Sequence, residues 1–123
     1  MRNNQSEEDY VERILVLKER KGNVRAVDIA KDMGFSKPSI SVAMKKLEEK
    51  KYIEIDNFSG YINLTESGMQ LAQKIYERHK VLTSLFAKLG VNPEVAEDDA
   101  CKIEHDLSEE TFSKLKELEN SIK

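Results

Sequence analysis

The segment Asp98-Asp99-Ala100-Cys101-Lys102-Ile103-Glu104-His105 holds the only cysteine and one of the two histidines of this 123-residue chain. If the segment is helical, Glu104 and His105 stand three and four residues after Cys101, so the three side chains leave one face and can converge on a cation. Thiolate, carboxylate and imidazole together suit a first-row transition metal better than calcium or magnesium. The same residues also admit a plain reading, in which Cys101 is a small buried hydrophobe and the Glu-His pair is solvated. Three further residues bear on the choice. Asp9 and Glu12 are three residues apart at the start of the chain, and His79 lies in the middle of a long apolar-patterned stretch, where a histidine either packs or ligates.

These groups need a scaffold. The apolar fraction of 39% supports one modest interior or two small ones, and 35% charged residues with no Trp, five Gly and two Pro read as a helix-rich chain. No run approaches the ~20 apolar residues of a spanning helix, and Met1 to Glu8 lacks an apolar leader, so a cytoplasmic protein is expected. One cysteine excludes an internal disulfide. The net charge of −3 gives no global sign of nucleic-acid binding, so a DNA-binding surface must come from local segregation of charge.

Ser6 with Glu7, Glu8 and Asp9 predicts a helix start, and Gly22 its end. A second short helix is expected over Ala26 to Met33, closed by Gly34. Ser36-Lys37-Pro38-Ser39 then opens a third, with Ile40, Met44 and Leu47 inward and Ser39, Ser41, Lys45, Lys46 and Lys50 outward. Two short helices joined through a glycine turn match the helix-turn-helix that reads a major groove. Tyr52–Ile55 and Tyr61–Leu64 flank the turn 56–60 and predict a hairpin, the wing of a winged helix. Thr65 caps a long helix running to Gly90, Asn92-Pro93 starts the helix carrying the Cys-Glu-His segment, and Ser108 caps the last. Leu82, Leu85, Phe86, Leu115 and Leu118 appear as surplus apolar surface, which self-association would bury. The predicted fold is mostly α with a small β wing: a DNA-binding winged helix over 1–68, joined by a long helix to a helical domain over 69–123.

In this order the chain resembles the metal-dependent repressors of the diphtheria toxin repressor and manganese transport regulator family. The resemblance is carried by Glu8-Asp9-Tyr10-Val11-Glu12, Ser36-Lys37-Pro38-Ser39-Ile40-Ser41, Leu64-Thr65-Glu66-Ser67-Gly68, Arg78-His79-Lys80-Val81-Leu82 and Cys101 to Ser108. It implies Asp9, Glu12, His79, Cys101, Glu104 and His105 as ligands of manganese(II) or iron(II), one or two ions per subunit. It also implies a homodimer on palindromic double-stranded operator DNA, with Ser36, Lys37, Pro38, Ser39, Ser41, Lys45 and Lys46 at the DNA. The length is that of the shorter, manganese-type members. The ligand set is a hybrid, because Asp9 resembles the manganese type while Cys101 resembles the iron type. Val42 stands where iron-type members carry glutamine, which implies a different base preference.

The implied switch is a cation shared by the two domains that fixes the separation of the DNA-reading helices. The alternative is a metal-independent winged-helix regulator responding to a small molecule, in which His79 merely packs. An enzyme is not expected, since no oxyanion device, glycine-rich loop or orienting third group accompanies Cys101 and His105.

Overall fold

Helix α1 (Gln5–Lys21) buries Val11, Ile14, Leu15 and Leu17, apolar residues at helical spacing, and Gly22 N–H closes it on Lys18 O at 2.8 Å. The computed structural model describes residues 5–122. Ser6 falls within the range of α1, and its side chain lies outside the described residues. The chain divides between Gln73 and Lys74 into two compact units.

In the first unit, α2 (Ala26–Met33) starts where Asp28 Oδ2 accepts the Arg25 N–H at 2.8 Å, satisfying a donor that the helix start leaves open. It stops at Gly34, whose φ of +72° is a left-handed conformation that favours glycine. Helix α3 (Lys37–Glu49) is capped by Ser36 Oγ, which accepts the Ser39 N–H at 3.3 Å, and Pro38 occupies the first turn. Ile29, Ile40, Met44, Leu47, Ile53 and Ile62 are fully buried and form the core of this unit.

Strands β1 (Ile53–Ile55) and β2 (Ile62–Leu64) pair antiparallel, with Ile53 opposite Leu64 and Ile55 opposite Ile62. Each is shorter than the predicted strand by its leading tyrosine. Asp56 Oδ1 accepts the N–H groups of Phe58 (2.7 Å) and Ser59 (3.1 Å), and these bonds hold its carboxyl below the usual range. The turn is tied to α2 by Arg25, whose Nε donates to Ser59 O at 2.8 Å while its guanidinium lies 4.6 Å from the centre of the Tyr61 ring. After β2, Thr65 Oγ1 accepts the Gly68 N–H at 3.1 Å. Gly68 permits a close approach, since a Cβ there would sit 1.9 Å from Tyr52 O.

Helix α4 (Glu66–Lys88) begins in the first unit and continues into the second, which also holds α5 (Pro93–Ile103) and α6 (Glu109–Ser121). Asn92 and Ser108 cap α5 and α6 as expected, through Glu94 N–H at 2.9 Å and Thr111 N–H at 3.1 Å. Ile75, Leu82, Leu85, Ala96, Ala100 and Phe112 are buried. Lys116 pairs with Glu77 at 2.5 Å, and Glu119 takes Ser84 at 2.8 Å and Lys88 at 2.6 Å, which fastens α6 along α4. The apolar surplus is smaller than the sequence implied. Leu82 and Leu85 lie inside the chain, and Leu89, Val95 and Leu118 are the large apolar residues left exposed on this unit.

Candidate metal centre and nucleic-acid face

Within the second unit, Glu104 is fully buried and sits between two imidazoles. His79 Nδ1 is 2.9 Å from its Oε1, and His105 Nε2 is 3.6 Å from its Oε2. The His105 side chain is 1% exposed and that of His79 is 21% exposed. Glu104 Oε2 makes no hydrogen bond among the described residues. A carboxylate removed from water with one oxygen lacking a hydrogen bond carries a solvation cost that a cation would relieve. One carboxylate and two imidazoles are an N/O donor set of the kind that divalent manganese, iron or zinc accepts. The residues fit a metal ion.

The backbone that presents Glu104 departs from the sequence expectation. Helix α5 ends at Ile103, Glu104 is its C-cap, and His105 lies in the following turn. Glu104 keeps helical dihedrals and its N–H still bonds Ala100 O at 3.0 Å, so it stands one helical turn after Cys101, whereas His105 has left the helix; Cys101 is exposed near the end of α5 and Glu104 is buried. Arg78 of α4, 3% exposed, accounts for the early stop. Its Nη1 donates to Glu104 O at 3.0 Å and Leu107 O at 2.6 Å, and its Nη2 meets Glu109 Oε1 at 2.6 Å. The guanidinium also lies 5.3 Å from the centre of the Phe112 ring. These bonds satisfy carbonyls that the helix end leaves without partners, and the cation holds the Glu109 carboxyl below its ordinary range. Arg78 was not singled out for this part from sequence. The signal was present: it takes a core position in the stripe Leu71, Ile75, Arg78, Leu82, Leu85, Leu89, where a charge calls for buried partners.

In the first unit, Asp9 is half-buried and Glu12 is buried, one turn apart on α1. On α3 and its cap, Ser36, Lys37, Pro38, Ser39, Ser41, Lys45 and Lys46 are all exposed. A cleft of about 140 Å³ opens between Ala26 and Val27 at the start of α2 and Lys37 and Ser41 of α3. Small hydroxyl residues, lysines and helix N-termini are groups that meet phosphate and base edges.

Residues 4–60 match the family described as iron dependent repressor, N-terminal DNA binding domain, and residues 65–123 match iron dependent repressor, metal binding and dimerisation domain. The chain belongs to the iron-dependent repressor family. It is 36% identical over 114 residues to an uncharacterized HTH-type transcriptional regulator of Methanocaldococcus jannaschii, covering 91% of this chain and 90% of that protein. It is 40% identical over 105 residues to the transcriptional regulator MntR of Escherichia coli, covering 85% of this chain and 67% of that one. The solved structure of the manganese regulator SloR matches with a TM-score of 0.79 at 30% identity, over 92% of this chain and 53% of that chain. The chain thus spans about half the length of that solved relative. The iron-dependent repressor fold confirms the expected winged helix followed by a helical domain. The family is one of metal-dependent transcriptional repressors, not enzymes, and the metal-dependent reading is favoured over the small-molecule alternative. Among the described residues no helix is long and apolar enough to cross a membrane.

Proposed function

We propose that this repressor is activated by manganese(II) or iron(II), one or two ions per subunit, bound between its DNA-binding domain (1–68) and its dimerisation domain (69–123). Asp9, Glu12, His79, Cys101, Glu104 and His105 are its ligands, and the loaded homodimer silences genes in the cytoplasm from palindromic operators. The placing of His79 and His105 on either side of the buried Glu104 carboxylate is the observation that carries the reading. When bound, the ion supplies a positive charge on which carboxylates and imidazoles can converge.

Each residue then has a part. Glu104 offers an oxygen that makes no hydrogen bond among the described residues, and His79 and His105 flank it. Asp9 and Glu12 join from α1, so the same ion ties the DNA-reading unit to the dimerising one. Cys101, exposed on α5, is the remaining ligand of the proposed set. In the absence of a cation the acids repel one another and the two units sample several separations. A palindrome presents half-sites about 34 Å apart, so the dimer reads both only at one separation. Ser36, Lys37, Pro38, Ser39, Ser41, Lys45 and Lys46 meet the operator.

The test is retention of sheared genomic DNA on the protein under anaerobic conditions with manganese(II), iron(II), zinc(II) or a chelator. Particular fragments held only with metal are the expected result, and the most effective ion at low concentration names the activator. Equal retention of the same fragments with chelator would show that DNA binding does not depend on this cluster.

A further inference from the structure

Val42 is 57% exposed on α3. The inward face of that helix is already filled by Ile40, Met44 and Leu47, which are buried, so Val42 contributes little to the core. Its neighbours along the exposed face are Pro38 and Ser39 before it and Lys45 and Lys46 after it. Counting Lys37, three cations and no acid lie between positions 37 and 47, so the face suits a polyanion and repels a basic partner. A lone valine set among lysines and serines is too small an apolar area to be the core of a protein interface.

The chemistry of the major groove narrows what such a side chain can meet. Guanine, cytosine and adenine present only hydrogen-bond donors and acceptors on their major-groove edges, and an isopropyl group pairs with none of them. Thymine adds a C5-methyl group. Ser39 and Ser41 can donate or accept and so tolerate any base, and the lysines can meet phosphates or guanine; Pro38 is held in the first turn of α3, which leaves Val42, one turn further along, as the exposed apolar side chain in the middle of this face. We infer that Val42 specifies a thymine in each half-site, by packing its isopropyl group on the thymine methyl. The inference rests on the proposed reading that α3 enters the major groove.

The experiment starts with selection of duplexes from a randomised pool by the full-length protein with manganese(II). The enriched duplex is then remade with single thymine-to-uracil replacements, each of which removes one methyl group and nothing else. At one thymine per half-site the replacement should lower wild-type affinity about fourfold, the value of one buried methyl-sized group. Val42→Ala should bind the thymine and uracil duplexes equally at that position. Val42→Thr keeps the branched shape, exchanges one methyl for a hydroxyl, and should show a reduced preference. Because Val42 is exposed, all three proteins should have the same melting temperature. An enriched duplex in which every thymine-to-uracil replacement costs the variants as much as the wild type would overturn the assignment while leaving α3 as the reading helix. Failure to enrich any sequence would overturn both.

Discussion

Replacing Arg78 by alanine removes the clasp around the turn that bears Glu104, and the structure sets the size of the effect. Glu104 O is buried and would lose its side-chain donor, which costs about 1–3 kcal/mol. Leu107 O is only part-buried, so water can replace the guanidinium there and the loss is about 1 kcal/mol. The partner carboxylate of Glu109 is 76% exposed, so solvent screens that ion pair and it adds little. The contact with Phe112 adds about 0.5–1 kcal/mol. The sum, about 2.5–5 kcal/mol, is a large part of the 5–15 kcal/mol typical of a folded domain. In urea, at a mid-range slope of about 2 kcal/mol per molar, the unfolding midpoint of the chelator-treated protein should fall by about 1.3–2.5 M. Glu109→Gln removes only the exposed ion pair and should move the midpoint by less than half as much. Amide exchange at residues 104–108 should quicken in Arg78→Ala before global unfolding. If Arg78→Ala unfolds within error of Glu109→Gln, the main-chain bonds do not hold this turn and the account of why α5 ends at Ile103 is wrong.

Lys45→Ala and Lys46→Ala should each weaken binding to all duplexes alike and reduce the slope of log affinity against log salt by about one unit, read by titration at several salt concentrations. An unchanged slope would place those lysines away from phosphates. Cys101→Ala should weaken binding of the preferred metal and relax its selectivity, measured by calorimetry. Unaltered affinity would remove the exposed thiol from the ligand set. Asp28 has its carboxyl held below the ordinary value by the Lys21 ammonium and then by the Arg25 N–H. A depressed folded value contributes stability above the ordinary carboxylate range that is lost as pH falls through it. Asp28→Asn should therefore be less stable than wild type at neutral pH, with the two urea midpoints converging in acid. A constant gap across pH would refute the linkage.

The parts of this fold that are written in local chemistry were legible in the sequence. Ser36 with Pro38, Gly34 at its positive φ, and the caps Asn92 and Ser108 each act within four residues, and all stand where the spacing put them. The end of α5 was not legible, because it is set by Arg78, 26 residues before Glu104, rather than by a glycine or proline nearby. Helical spacing alone therefore carried His105 onto a helix that ends before it. The His79–Glu104 approach was legible only through the family resemblance, since nothing in the periodicity of α4 aims a histidine at a residue 25 positions away. Leu82 and Leu85 looked like surplus because pattern reading marks apolar residues without showing which of them the chain's own interior takes.

The central claim is that metal and DNA act on one equilibrium, and linkage makes it measurable from either side. The manganese(II) affinity of the full-length dimer should be determined by calorimetry with and without a saturating enriched duplex. Coupling of about 1–3 kcal/mol per site predicts a metal affinity about 5–150-fold tighter in the presence of DNA. Glu104→Gln should abolish that difference. Equal manganese affinities for the free and DNA-bound wild-type protein would contradict the account, because a site that does not sense DNA cannot control its binding.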